Sequence, residues 1–465
     1  MSVVLIYPPN YYRNKKDATK SYGGIVDRWR SVPPLGLLYI ASSLLKNGID
    51  VHVLDFNTSK INLEESIELI KTYNPKVIGI TATSFQLRGA FQLAESIRKE
   101  FGSAVFIGLG GAHITVDPDF INRFPEFDFV VVGDGETTFP KLVDNILQGE
   151  NIKGIFYGEQ STTLDDIPFP ARQFIDMKKY YSKGQEFATI LSERGCPYNC
   201  IFCSIKGISQ RKVRFRTPKR VVDEIEEVVN NYGIRRFWFI DDAITLNENH
   251  TFELCEEIIK RNLKIIWWCE TRVENVTERL IKIMRKAGCI TISFGIESGS
   301  EEVRKIVIRK NFTNEQAINA FRICKENGIS TEAYLMLGFP TETKEQMYET
   351  AKFSLQLKAD IIGVHVTTPY PGSDLFKLAV VEGYIEENVY DKYTRGILDY
   401  NLPVYLPKGV SLSEIKTIQK EIYRKFYFRP GFIISRLKQD IFSFRKLKED
   451  AQMAMRLFMK GDAKD

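Results

Sequence analysis

Through the first 150 residues, short apolar runs alternate with stretches whose apolar positions recur every three or four residues. The runs Val3 to Tyr7, Val51 to Asp55, Val77 to Ala82, Ala104 to Gly108 and Phe129 to Val132 predict strands buried on both faces. Leu35 to Lys46, Leu63 to Tyr73 and Ala90 to Glu100 predict helices between them, with Pro33-Pro34 as a helix start. Strand and helix in regular alternation imply an α/β domain over residues 1–150, a doubly wound parallel sheet that binds ligands beyond the carboxyl ends of its strands. Residues 151–186, with Leu164-Asp165-Asp166-Ile167-Pro168-Phe169-Pro170, break the pattern and predict a linker. The alternation then resumes over 187–400. Phe187 to Ser192, Arg236 to Ile240, Lys264 to Cys269, Ile290 to Gly295, Thr331 to Leu337 and Ile361 to Val366 predict six strands, separated by helical stretches, hence a partial (β/α)6 barrel.

The last stretch, 401–465, reads as helical. Ser411-Leu412-Ser413-Glu414 is a capping-box pattern, followed at helical spacing by Ile415, Ile418, Ile422 and Phe426. A second amphipathic segment sets Ile434, Leu437, Ile441, Phe444 and Leu447 opposite Arg436, Lys438 and Lys446.

Composition changes this picture little. The length of 465 residues calls for two or three domains. The net charge of +5 is uneven: from Ser411 to Asp465 there are thirteen Lys/Arg against seven Asp/Glu, so the rest of the chain sums to −1. The basic tail suits either a helical cap on the barrel, the favoured reading, or peripheral contact with an anionic membrane surface. No nucleic-acid module is visible, which disfavours that partner. No run reaches the ~18 apolar residues of a membrane span, and the start of the chain lacks a basic, then apolar leader. Seven cysteines without a pairing pattern fit a reducing compartment. The expected location is cytoplasmic.

Three of those cysteines stand apart from the rest. Cys196, Cys200 and Cys203, spaced Cys-x3-Cys-x2-Cys among the loop formers Gly195, Pro197 and Asn199, can converge on one metal centre. Three thiolates would leave one iron of a [4Fe-4S] cluster open to a small molecule. A zinc site lacking its fourth ligand and buried thiols at coincidental spacing are the alternatives; none of His52, His113, His250 and His365 lies nearby in sequence. Cys255, Cys269, Cys289 and Cys324 have no ligand spacing and read as small buried hydrophobes. Of Trp267 and Trp268, one ring should point to each face of its strand. Polar loops follow the barrel strands: Asp241-Asp242, Glu270-Thr271-Arg272, Glu297-Ser298-Gly299 and Gly338 to Thr343. In the first domain, Pro8-Pro9-Asn10, Thr83-Ser84, Gly110-Gly111-Ala112-His113 and Gly133-Asp134-Gly135-Glu136 follow strands and permit close ligand approach.

The cysteine triad, with Phe202 just before its last member, resembles the signature of the radical S-adenosylmethionine superfamily. Gly295-Ile296-Glu297-Ser298-Gly299, Leu337-Gly338-Phe339-Pro340 and Thr368-Pro369-Tyr370-Pro371-Gly372 extend the likeness. The first domain, through Tyr7-Pro8-Pro9, Pro34-Leu35-Gly36 and the two glycine-rich turns, resembles the cobalamin-binding domain of the cobalamin-dependent members. That resemblance implies a [4Fe-4S] cluster on Cys196, Cys200 and Cys203. It implies S-adenosylmethionine near Phe202, Arg272, Glu297 and Ser298. Cobalamin would lie against Pro8, Pro9, Thr83, Ser84, Gly110, Gly111, His113, Gly133, Gly135 and Glu136. No histidine has the Asp-x-His-x-x-Gly context of a lower axial ligand. The implied activity is C-methylation of an unactivated carbon in a small-molecule or lipid substrate, with electrons from a ferredoxin or flavodoxin. Alternatives are a non-methylating radical cyclase or carbon-skeleton enzyme, and a cluster-bearing sensor that never cleaves S-adenosylmethionine. A methylthiotransferase is disfavoured because neither a second cysteine triad nor a C-terminal RNA-binding barrel is evident. No residue is assigned as catalytic from sequence.

Overall fold

The first strand, β1 (Ser2–Tyr7), buries five of its six residues, and its side chains divide between two cores: Val3 and Leu5 join one, Val4 and Ile6 the other. A strand covered on both faces is the mark of a doubly wound sheet. In the computed structural model, which describes residues 2–10, 32–59, 61–159, 161, 163–182, 184–398, 404–430 and 432, the sheet continues with β2 (Val51–Asp55), β3 (Pro75–Thr81), β4 (Phe106–Gly110), β5 (Phe129–Val132) and β6 (Gly154–Tyr157). All pairings are parallel, in the order β2-β1-β3-β4-β5-β6. Helices α1 (Leu35–Lys46) and α5 (Thr138–Leu147) cover one face, α2 (Leu63–Thr72) and α3 (Leu87–Phe101) the other, and the short α4 (Ala112–Val116) follows β4. Strand order reverses at β1 and β3, so a crevice opens beyond their carboxyl ends. The sixth strand falls inside the predicted linker. Its four residues lie at the sheet edge, half-buried or exposed, and so carry a weak apolar signal.

The second sheet is also parallel: β7 (Ala188–Ile190), β8 (Arg236–Phe239), β9 (Ile266–Thr271), β10 (Cys289–Glu297), β11 (Ser330–Leu337) and β12 (Ile361–Val366), hydrogen-bonded in chain order. Helices α6 (Pro218–Tyr232), α7 (Glu248–Lys260), α8 (Glu278–Lys286), α9 (Asn314–Glu326) and α10 (Lys344–Gln356) alternate with the strands, giving the expected partial barrel. Phe237, Phe239, Trp267, Cys269, Ile292, Phe294, Ala333, Leu335, Ile362 and Val364 fill the core between strands and helices. Side chains alternate along a strand, so Trp238, Trp268, Glu270, Ser293, Glu332, Tyr334 and His365 face the interior. The two tryptophans divide as expected, with Trp267 fully buried.

Helix α11 (Leu412–Tyr427) closes the barrel. Ser411 and Glu414 form its capping box, and Ile415, Ile418, Ile422 and Phe426 enter the barrel core, the cap favoured from sequence. The predicted segment Ile434 to Leu447 lies outside the described residues. No helix among the described residues is long and apolar enough to cross a membrane.

Two seams join the halves. At the first, Glu224 of α6 is fully buried and accepts from Arg172 at 2.6 Å and Arg216 at 2.6 Å, while Tyr39 of α1 approaches the same carboxylate at 3.5 Å. At the second, the helix Val389–Thr394, well beyond the barrel strands, sends Val389 and Tyr390 into the core of the first domain. The carboxyl-end rims of the two sheets therefore meet.

Candidate functional site

Three of the first-domain loops named from sequence converge on that rim, and most of their side chains are already engaged. The Pro8 carbonyl accepts from Gln86 Nε2 at 3.0 Å, and the Gln86 side-chain oxygen takes both the backbone N–H and the hydroxyl of Thr83, at 3.2 and 3.0 Å. Gln86, which carries no sequence signal, is thus the clasp between the two loops at the reversal of strand order. Pro9 lies close behind, its carbonyl 2.0 Å from where a Cβ on Gly89 would project. Gly133 has φ of +83° and nothing within 4 Å of its missing Cβ, so the turn after β5 is open at that point, while Gly110 at the end of β4 lies against the Val131 carbonyl. Gly111 is packed instead: a Cβ there would meet Ala82 O at 2.7 Å.

His113, expected to line a ligand, points inward. Its buried imidazole bonds Ser84 Oγ at 2.9 Å, lies 3.6 Å from Asp117 and packs between Phe120 and Tyr390. An aromatic pocket holds it as a core residue, and Ser84 is occupied with it. Glu136 is likewise committed, accepting from Arg194 Nη2 at 2.6 Å. Asp134 in the same turn pairs with Arg194 at 3.3 Å and Arg214 at 2.7 Å, while Gly135 packs on Ile40. The turn after β5 is therefore tied by charge to Arg194, two residues before Cys196.

The thiol loop that follows is irregular between Gly195 and Phe202. Gly195 holds φ of +102°, and a Cβ there would lie 2.0 Å from Lys212 O, so only glycine opens the loop this way. Its N–H donates to Asp242 at 3.2 Å. Burial pushes the Cys196 thiol up to about 11 and the Cys203 thiol up to about 12. An electropositive centre is what would hold such thiols as thiolates. Arg272 leans over Tyr198 at 3.7 Å and donates to Cys200 Sγ at 3.4 Å. Beside it Arg272 Nε, Glu274 Oε2 and Asn275 Nδ2 are buried with no hydrogen-bond partner. Three buried polar atoms without a partner cluster around Arg272, which itself donates to Cys200, so hydrogen-bonding capacity is left unfilled beside the thiol loop.

Across the mouth, Glu297 sits at φ +63°, at a register shift in β10, and pairs with Lys310 at 2.8 Å. Lys310 also donates to Gly295 O at 2.8 Å and lies 6.0 Å from the Phe202 ring. The structure thus brings Phe202, Arg272 and Glu297 to one rim with the cysteines and adds Lys310. Ser298 is not part of that rim: fully buried, it bonds Thr350 Oγ1 at 3.2 Å, and its carbonyl accepts from Arg304 at 2.6 Å.

The interior below is acidic. Glu270, Ser293 and Glu332 stand side by side in register on β9, β10 and β11, with Ser293 Oγ and Tyr334 OH donating to Glu332 at 3.1 and 3.4 Å. Burial, then the charge of Glu332, pushes Glu270 up to about 7, and burial pushes Asp242 up to about 6. Burial also raises the adjacent pair Glu193 and Asp241, the latter held by Ser192. Carboxyls displaced in this way cluster where ligands bind or protons move.

Comparisons with known proteins bear on both halves. Residues 190–354 match the family model described as the radical SAM superfamily, and residues 29–143 match that described as the B12 binding domain. The chain is 32% identical, over 95% of each sequence, to an uncharacterized methyltransferase of Pyrococcus horikoshii. It is 30% identical, over 92% of its own length and 78% of the relative's, to the anaerobic magnesium-protoporphyrin IX monomethyl ester cyclase of Rubrivivax gelatinosus. Its fold is similar to that of OxsB, a cobalamin-dependent S-adenosylmethionine radical enzyme solved with aqua-cobalamin and S-adenosylmethionine. The TM-score is 0.71 at 17% identity, covering 98% of this chain and 71% of that one.

Proposed function

The chain belongs to the cobalamin-dependent branch of the radical S-adenosylmethionine superfamily, and from that premise we propose that it is a C-methyltransferase acting on an unactivated carbon. Cys196, Cys200 and Cys203 would hold a [4Fe-4S] cluster. The unpartnered buried atoms of Arg272, Glu274 and Asn275 would be available to the polar end of S-adenosylmethionine, and cobalamin would lie along the carboxyl edge of the first sheet, where the turn at Gly133 carries no side chain. When bound, these groups supply a carbon-centred radical and a transferable methyl group.

The protein's own residues do the holding. Gly195 opens the thiol loop, Arg272 places a cation against Cys200, and Lys310 fixes Glu297 beside Phe202. Arg194 ties the turn after β5 to the thiol loop, which would set the spacing between the two cofactors. The observation that carries the proposal is the full-length likeness to a methyltransferase, with both family models on one chain. The similarly long likeness to a cyclase supports a second reading, in which the radical step occurs without methyl transfer.

Anaerobic reconstitution of the full chain tests this. Retained iron and cobalamin after desalting, with S-adenosylhomocysteine and 5'-deoxyadenosine both formed from S-adenosylmethionine, is the expected result. Deoxyadenosine without S-adenosylhomocysteine would favour the cyclase reading. Neither product under strong reduction, with the cluster intact, would leave a sensor.

A further inference from the structure

The cysteines stand at the carboxyl-end rim of the barrel, and the opposite mouth carries an unbalanced charge of its own. Arg236 opens β8, Ile266 opens β9, and the hairpin formed by Tyr181–Ser182 and Gln185–Glu186 lies beside them, just before β7. A pocket of about 620 Å³ opens between these pieces. Four cations line it, Lys178, Arg235, Arg236 and Lys264, against one acid, Glu186. The amino ends of barrel strands ordinarily serve stability, and a cluster of like charges works against it, because the charges repel one another.

Arg236 is the cation that the fold leaves uncompensated. It is half-buried, on the same face of β8 as Trp238, with its guanidinium 5.6 Å from the Trp268 ring. Nη1 donates to Gln185 Oε1 at 2.8 Å, while Nε is buried with no hydrogen-bond partner. Burial holds the guanidinium below the usual arginine pKa, and no carboxylate offsets that burial. Arg235 donates to the Lys264 carbonyl at 3.4 Å, and none of the four cations is ion-paired among the described residues. The domain seam shows the alternative, since there Arg172 and Arg216 share the Glu224 carboxylate. A partly desolvated guanidinium without an anion is costly, and an incoming anion would recover that cost.

We propose that this mouth binds a polyanionic small molecule through a phosphate or diphosphate group. Arginine presents a planar fork of donors suited to phosphate oxygens, and the three flanking cations are exposed and can turn towards the charge. A single carboxylate would leave most of that charge unmatched. Gln185 belongs to the hairpin, Arg236 to the start of β8 and Lys264 to the approach to β9, so a bound group would fasten the hairpin across the lower mouth. The site is separate from the cysteine loop and does not depend on the proposed activity.

The test is calorimetric titration of the anaerobically reconstituted full chain with inorganic pyrophosphate, at an ionic strength held constant with chloride. We expect one saturable site. Arg236→Gln should weaken it about tenfold, Arg236→Lys should weaken it less, and Lys264→Gln, at an exposed position, should weaken it about threefold. Amide exchange in the hairpin should slow when pyrophosphate is bound. Lys352→Gln, on the exposed surface of α10, should bind as the parent does. No saturable binding, equal affinity of the parent and Arg236→Gln, an equal loss in Lys352→Gln, unchanged exchange in the hairpin, or acetate binding as tightly as pyrophosphate would overturn the proposal.

Discussion

Glu224, fully buried, and Glu270, half-buried towards the barrel interior, are glutamates of the same barrel in opposite circumstances. At the seam, burial alone would raise Glu224, but Arg216 and Arg172 outweigh it and hold the carboxyl below the usual range. In the interior, Glu270 has no hydrogen-bond donor or cation among the described residues, and burial beside Glu332 drives it up to about 7. Both acids pay desolvation. At the seam the fold compensates it, and in the interior the fold leaves it standing. The first arrangement locks two domains together, whereas the second keeps a polar surface available to a ligand.

Breaking the compensated site should have the largest effect. Glu224→Ala leaves two guanidiniums buried without an anion, and we expect a loss of about 3–5 kcal/mol, read as a lower urea midpoint. The pH dependence has a definite sign: the stability Glu224 contributes is present above its unfolded pKa and lost as pH falls through the lower folded value. The variant should therefore have a flatter acid limb. Glu270→Gln should do the reverse. An acid raised by folding subtracts stability as pH climbs from the ordinary glutamate value to about 7. The variant should therefore be the more stable by roughly 1–3 kcal/mol above that range, and equal to the parent in acid. A variant destabilised at all pH values would show that Glu270 has a structural partner after all.

Smaller effects sharpen the same contrast. Arg194→Gln removes the ties to Glu136 and Asp134 and should cost about 1–2 kcal/mol in thermal or urea unfolding. Lys141→Ala, at an exposed pair with Glu159 within the first domain, should fall within about 0.5 kcal/mol of the parent. A comparable loss in both would mean that the Arg194 contact is ordinary surface charge.

Local patterns were legible in the sequence, and partnerships across it were not. Eleven strands, the cysteine triad and the Ser411 cap each declare themselves within a dozen residues. The edge strand Gly154–Tyr157 did not, because half-exposed edges need little apolar sequence. Lys310, Gln86 and Arg194 acquire roles only through residues 13, 78 and 58 positions away. The same long-range packing gives His113 and Ser298 partners within the protein, which sequence could not show, since a histidine or serine in a loop looks identical whether its side chain faces a ligand or the core.

The helix Val389–Thr394 bears on how the protein is born. The first sheet is complete once Tyr157 leaves the ribosome, yet Val389 and Tyr390 belong to one of its two cores. At roughly 5–20 residues per second, that domain waits on the order of 10–50 s for its last apolar pieces. Through that interval one face of the nascent domain is unfinished, and a chain cut before this helix would keep it so. Chaperone occupancy during translation should peak in that window, and an engineered split of the protein would have to carry residues 389–394 along with the first half.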